Sequence, residues 1–204
     1  MSPISSASPL LRPEQPGDAT RIRQINELAF EGTEEADLIE ALRASGGIVL
    51  SLVAVIGGEK IVEEPSREGE LAAHEQPGPP HSGAEIYGGE IVAHALVTPV
   101  TVSTEHGEVQ LLGLGPVAVL PAEQGKGIGT HLIDGCLEQS RALGYPGMVV
   151  MGEPAYFQRF GFIPAGRWGL RRETDAPDED FMALELSPGK LGGMEGVVRY
   201  CPEF

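Results

Sequence analysis

The segment Gln124-Gly125-Lys126-Gly127-Ile128-Gly129-Thr130 places three glycines in alternation between a long apolar run and a helical one. Glycine carries no Cβ, so several backbone N–H groups of such a segment can converge on one anion. A helix starting there adds the positive end of its dipole. Gln124 can donate from its amide, Lys126 brings a positive charge, and the Thr130 hydroxyl is a further donor. Residues 124–130 therefore read as a cradle for a diphosphate. Working outward, Val109 to Leu120 is a buried strand interrupted by Gly113, Gly115 and Pro116, where a bulge or a close backbone approach is expected. On the other side, Ile128, Leu132, Ile133, Cys136, Leu137 and Leu143 recur at helical spacing up to Gly144.

Two better-known phosphate motifs fail on the same residues. A P-loop needs Gly-x-x-x-x-Gly-Lys followed by Ser or Thr, which is absent here. The dinucleotide fingerprint Gly-x-Gly-x-x-Gly would put its last glycine where Thr130 stands. A plain reading, glycines that only tighten a turn, is disfavoured by the strand before and the helix after.

Farther upstream, Leu11 to Glu14 suits a strand, and Asp18 is placed to cap a helix whose core side carries Ile22, Ile25, Leu28 and Ala29. A second helix carries Ala36, Leu38, Ile39 and Leu42 and stops at Ser45-Gly46-Gly47, after which Ile48 to Ile56 reads as a buried strand. Residues 57–87 are crowded with Gly, Pro and Glu and suit a solvated loop insertion before a strand at Glu90 to Thr101. Downstream, Met148 to Met151 is a short buried strand, and Glu153 to Phe160 a short helix with Pro154 in its first turn. Phe162 to Ala165 and Phe181 to Leu186 suggest two last strands. The expected organisation is a flexible N-terminus over residues 1–10, one domain over 11–187, and an extension over 188–204 packed on it, with a strand near Val197 to Tyr200.

The chain has 204 residues, 41% hydrophobic and 22% charged, with a formal net charge of −16. That length supports one sizeable core. The charge opposes attachment to nucleic acid or an anionic membrane and faintly favours an amine-bearing partner. No apolar run approaches the ~20 residues of a membrane span, and the opening residues lack the basic and apolar regions of a secretory signal. Cys136 and Cys201 are far apart and have no ligand partners at metal spacing, so neither a disulfide framework nor a metal site is expected, and a reducing cytoplasm is the default compartment.

Val117-Ala118-Val119-Leu120-Pro121-Ala122-Glu123-Gln124-Gly125-Lys126-Gly127-Ile128-Gly129 resembles the acetyl-CoA signature of the GNAT superfamily of N-acetyltransferases, Gln/Arg-x-x-Gly-x-Gly/Ala after a Val-x-Pro strand end. Ala155-Tyr156-Phe157-Gln158-Arg159-Phe160-Gly161-Phe162 is similar to the aromatic helix and Gly-Phe strand start that close that fold. Within the superfamily the chain looks closest to a bacterial-type subgroup of largely unknown substrate. The resemblance implies an α+β fold, with a central mixed, mostly antiparallel sheet splayed at a bulged strand and flanked by helices. It also implies acetyl-CoA as co-substrate, its pantetheine arm along Val117, Ala118 and Val119 and its diphosphate on Gln124, Gly125, Lys126, Gly127, Ile128, Gly129 and Thr130.

The implied activity is transfer of an acetyl group to a primary amine on a small molecule or peptide, with a homodimer as one assembly option. Many members place a tyrosine acid where this chain has Phe157, which leaves the adjacent Tyr156 as the candidate acid and Glu153 as the candidate base. Each has a bland alternative: Tyr156 as a packing aromatic, Glu153 as a helix-terminal carboxylate. His94 reads as a satisfied core histidine and His131 as solvent-facing. Arg159, Arg171 and Arg172 are candidates for a further phosphate. Because Phe157 lacks a hydroxyl, a non-catalytic acyl-CoA-binding or sensor domain of the same fold is the competing reading.

Overall fold

A computed structural model of the chain describes residues 9–57, 60–61, 86–173 and 179–204. Its elements run β1 (Leu10–Pro13), α1 (Ala19–Phe30), α2 (Glu34–Ser45), β2 (Leu50–Ile56), β3 (Lys60–Ile61), β4 (Ile86–Tyr87), β5 (Glu90–Thr104) and β6 (Gly107–Val119). There follow α3 (Ile128–Ala142), β7 (Gly147–Met151), α4 (Pro154–Phe157), β8 (Ile163–Pro164), β9 (Leu170–Arg172), β10 (Phe181–Glu185) and β11 (Gly196–Arg199). The main sheet has the order β1-β2-β5-β6-β7-β10-β8, and β11 joins β5 and β9. Pairing is antiparallel except for β6 with β7 and β9 with β11. This is the mixed, mostly antiparallel α+β sheet that the resemblance implied.

The apolar runs are continuous because both sheet faces are covered. Along β2, Leu52 and Ala54 enter the core beneath α3, while Val53 and Val55 enter the core beneath α1 and α2. Ile128, Leu132, Ile133, Cys136 and Leu137 bury the expected face of α3, each apolar side chain contributing on the order of 1.5–3 kcal/mol. A third cluster, around Val100, Phe181, Leu191 and Val198, closes the far end of the sheet. The long strand β5 serves two partners on one edge, β2 through Glu90 to Val97 and β11 through Thr101 to Thr104.

The strand that decides the architecture is β6. Its register with β5 passes from Val97↔Leu114 to Ala95↔Val117, so Gly115 and Pro116 oppose a single residue and form a bulge. Gly115 sits at φ 140°, which a glycine adopts without penalty. Pairing with β7 covers only Leu112, Gly113 and Leu114, and past the bulge β6 stays with β5 but leaves β7. The two strands diverge there.

Several expectations are corrected. Asp18 does not cap α1 with its side chain; it is buried against Arg12, with Nη2 to Oδ1 at 3.0 Å, and accepts from the Gln15 N–H at 2.7 Å. Burial favours the neutral acid and pushes the carboxyl up, but the Arg12 and Gln15 bonds and the Arg12 charge outweigh that and hold it below its usual range. Leu28 and Leu143 face outward, 54% and 51% exposed, because the core stripes of α1 and α3 are narrower than the spacing implied. The strand β9 lies between the two last strands expected, where none was expected. Residues 1–8 and the body of the 57–87 insertion lie outside the described residues.

His94 occupies a sealed network between the sheet and α1. The Asn26 amide, anchored by donating to the Ile22 carbonyl at 2.8 Å, stands 3.4 Å from His94 Nδ1, so that nitrogen accepts. Nε2 then donates to Ser51 Oγ at 3.0 Å, Ser51 donates to Glu14, and Arg43 donates to the same carboxylate. Burial above all, and the Arg43 charge, push the imidazole down to about 3. The unfolded chain therefore binds the proton first as pH falls: stability from this group is complete above its ordinary 6.5 and is lost towards 3. Urea unfolding should show stability declining by up to about 1.4 kcal/mol per pH unit between pH 6 and 4 from this residue alone. In His94→Gln that slope should flatten by close to one proton; an unchanged slope would assign the effect elsewhere.

Candidate active site

The divergence of β6 from β7 opens a cavity of about 620 Å³. Leu114, Gly115, Pro116, Val117 and Val119 line one wall of it, and Val150 and Met151 of β7 the other. Alternation sends the Val117 and Val119 side chains into this space and buries Ala118 in the opposite core, where it offers only backbone. Beyond Val119 the wall continues into the glycine turn. There a second cavity of about 450 Å³ is lined by Gln124, Gly125, Gly127, Ile128, Gly129 and Thr130.

The local conformation follows from the sequence. Gly125 and Gly127 stand at φ 73° and 83°, a region that costs an L-residue with a Cβ about 1–2 kcal/mol, and a Cβ at either would meet nothing within 4 Å. Those positions are bare, so their backbone is open to a ligand. Gly127 is the residue immediately before α3, and the first N–H groups of that helix have no intrahelical partner. Gly129 is different: a Cβ there would come within 3.2 Å of the Tyr156 hydroxyl and 3.4 Å of Val119 Cγ2. Gln124 donates back to the Val119 carbonyl at 3.1 Å, tying the turn to the strand.

Val119, Gln124, Gly129 and Tyr156 line both cavities and so mark their junction. Tyr156 is held edge-on to Phe157 and Phe160, with ring centroids 5.2 and 5.5 Å away. Phe157 is buried and its ring fills the place where Gly152 has no side chain. Arg159 stacks over the Tyr156 ring, its Cζ 4.7 Å from the centroid, and donates to Thr130 Oγ1 at 2.7 Å. Of the three arginines singled out, only Arg159 lines the second cavity; Arg171 and Arg172 lie on β9 and line neither.

Other candidates are placed elsewhere. Lys126 pairs with Glu123 at 3.0 Å and lines neither cavity. Glu153 stands just before α4, its Oε1 accepting from the Ala155 N–H at 3.4 Å, and also lines neither. His131 is exposed. Sequence reasoning missed the cavity's remaining walls: Ala29 and Phe30 of α1, Glu35 and Leu38 of α2, and Tyr200 and Phe204 from the tail. Helical spacing assigned Leu38 and Ala29 to a core, and nothing in the tail's composition signalled proximity. Among the described residues no group of three or more His, Cys, Asp or Glu is placed to hold a metal ion. No helix among them is long and apolar enough to cross a membrane.

The family model for acetyltransferases of the GNAT type matches residues 50–162. The chain belongs to the GNAT family. Among curated GNAT relatives, it is 28% identical to the uncharacterized N-acetyltransferase YhbS of Escherichia coli, over 96% of this chain and 98% of the relative. It is 30% identical to the uncharacterized N-acetyltransferase YjhQ of the same organism over 79% of this chain and 74% of the relative. Among solved structures, YhbS in complex with CoA superposes with a TM-score of 0.77 at 26% identity, covering 100% of this chain and 95% of that one. A Brucella melitensis GNAT acetyltransferase in complex with acetyl-CoA superposes at 0.67 with 30% identity, covering 96% and 97%.

The expectation that the second cavity takes an anion is testable by itself. Inorganic pyrophosphate titrated into labelled protein should shift the amide resonances of Gly125, Gly127 and Ile128. Arg159→Gln should weaken that binding about three- to tenfold, the range for one charge-assisted contact. Equal affinities in the two proteins would remove Arg159 from the site.

Proposed function

We propose that the chain binds acetyl-CoA and transfers its acetyl group to a primary amine by direct attack of the amine on the thioester. The carrying observation is the open edge of β6 past Leu114, followed after the short turn at Pro121–Glu123 by the bare glycine segment at the start of α3, with Val119 and Gln124 lining both cavities. An amide-bearing arm can pair with that edge as an added strand, and a diphosphate fits the turn. Two related structures with these ligands, one bound to CoA and one to acetyl-CoA, support the reading. Val117 and Val119 would offer backbone groups and flanking side chains, Gln124 would fix the turn, and Gly125 to Thr130 with Arg159 would hold the phosphates.

Acetyl-CoA supplies the activated acyl carbon, one C–S bond being exchanged for one C–N bond. Tyr156 gives its proton to the sulfur as it leaves and is reprotonated as the amine nitrogen sheds one proton in forming the amide; its ring stands where strand end, helix start and both cavities meet. Phe157 cannot fill that role and instead fixes the Tyr156 ring from below. Glu153 acts on this reading by capping α4 and so aiming Tyr156. Burial of the attacking amine against apolar walls favours its neutral, nucleophilic form.

Mixing the protein with acetyl-CoA and a panel of amines should release free thiol. Gly127→Glu places a carboxylate in the anion cavity at a positive φ and should abolish release. Tyr156→Phe should lower turnover at least tenfold while acetyl-CoA affinity stays within about twofold, the pattern of a transition-state contact. Glu153→Gln, which keeps a capping oxygen, should retain most turnover; a loss matching Tyr156→Phe would make Glu153 the base. Tight acetyl-CoA binding with no thiol release from any amine would favour the non-catalytic binding domain that Phe157 keeps in contention.

A further inference from the structure

We infer that Arg159 has a second task beyond the phosphates: held by Thr130 over the face of Tyr156, it positions that ring and offsets the negative charge the ring gains when its proton passes to the leaving sulfur. The inference rests on the acetyl-transfer reading and adds a positioning residue to it.

Arg159 is exposed, and an exposed arginine is ordinarily explained by solvation. Three observations set this one apart. Tyr156 on α4 and Arg159 on the tight turn that continues it, Gln158–Phe160, are three residues apart, a spacing that brings both side chains to one face. Arg12, Arg21, Arg23, Arg43 and Arg199 each pair with a carboxylate, whereas Arg159 has no carboxylate partner among the described residues, in a chain of net charge −16. Its contacts are instead a ring face, with Cζ 4.7 Å from the Tyr156 centroid, and one hydroxyl, Thr130 Oγ1, 2.7 Å from Nη2.

The bond to Thr130 is what gives the stacking a direction. Thr130 stands in the first turn of α3, one residue after Gly129, and a Cβ on Gly129 would lie 3.2 Å from the Tyr156 hydroxyl. One turn of α3 therefore meets the tip of Tyr156 directly and holds its ring through Arg159. The Phe157 and Phe160 rings also pack on Tyr156, with centroids 5.2 and 5.5 Å away, but both are neutral.

The charge matters in the transfer step. The C–S bond of the thioester breaks as the C–N bond forms, the sulfur takes the Tyr156 proton, and the proton that the nitrogen sheds returns to the Tyr156 oxygen. Between those two transfers the ring is negative. A cation over an aromatic face is attracted to it, more so when the ring is anionic, and a charge already in place costs no reorganisation at that moment. A guanidinium has five N–H groups and Thr130 takes one, which leaves others for a phosphate in the second cavity that Arg159 and Tyr156 both line. Arg159 thereby couples the donor's phosphates to the acid that serves its thioester.

The test is a double-mutant cycle on thiol release at saturating acetyl-CoA, with one amine that the parent acetylates. Arg159→Gln should lower kcat about fivefold or more with Tyr156 present, and less than about twofold in the Tyr156→Phe background, because the guanidinium acts through that hydroxyl. The acetyl thioester of N-acetylcysteamine, which carries no phosphate, should show a similar loss in Arg159→Gln, whereas a residue that only binds phosphate would leave its rate alone. Equal losses in both backgrounds, an unchanged rate with the phosphate-free donor, or a higher KM for acetyl-CoA at unchanged kcat would overturn the inference. A readout without turnover runs alongside. In tyrosine-labelled protein the Tyr156 ring resonances, assigned by their loss in Tyr156→Phe, should move in both Arg159→Gln and Thr130→Val; signals unmoved in Thr130→Val would show that Thr130 does not hold Arg159 over the ring and would also overturn it. Failure of the wider reading looks different: no thiol release from any amine removes acetyl transfer and this role with it, although the resonances still move, and full turnover in Tyr156→Phe removes the acid.

Discussion

Parting of β6 from β7 at Gly115 and Pro116 is the constraint on which the rest of the molecule depends. A parallel pair carried to the strand ends would satisfy every backbone group between them and leave no cleft. Here the pairing stops at Leu114↔Val150, and the bulge turns the remaining residues of β6 onto β5 alone. A strand with one unpaired edge inside a fold is costly unless something pairs with it. The fold tolerates that edge because β5 is long and is held on its other side by both β2 and β11.

The same constraint explains why the two sheet faces are built so differently. Beneath α3 the packing is apolar throughout, from Leu52 to Leu186, and it holds the helix whose first residues line the second cavity. Beneath α1 the sheet carries instead the chain Asn26, His94, Ser51, Glu14 and Arg43. His94 pairs in register with Ala118, the residue between the two valines that face the cleft. Directional bonds at that point tie β5 to α1 and β2 in a way that interchangeable apolar contacts would not, at the expense of burying an imidazole that must stay neutral.

What could be read from the chain alone divides along the same line. The glycine turn was legible because its requirement is local: bare glycines, a strand end and a helix start are adjacent in sequence. The bulge was legible for the same reason, from Gly115-Pro116 inside an apolar run. Burial of Leu28 and Leu143 was misjudged because helical spacing reports a face but not its width, which the opposing sheet sets. Asp18 looked like a cap because the competing partner, Arg12, sits on a strand whose approach no spacing reveals. Arg159 was visible only as a charge, since its place beside Thr130 depends on how α4 docks against α3.

The walls that α1, α2 and the tail give to the large cavity were the least legible part, and the reason is structural. The cavity's walls come from the α1 and α2 hairpin near the start of the chain, from β7 in the middle and from the tail. No two of these are neighbours in sequence, and each residue has an unremarkable local explanation: Phe30 ends a helix, Glu35 stands in a first turn, Tyr200 follows a strand. A turn of bare glycines between a strand and a helix is specified by one segment, so it can be read as a motif. A wall assembled from the start, the middle and the end of the chain is specified by none of them alone, and it becomes readable only when the fold has brought them together.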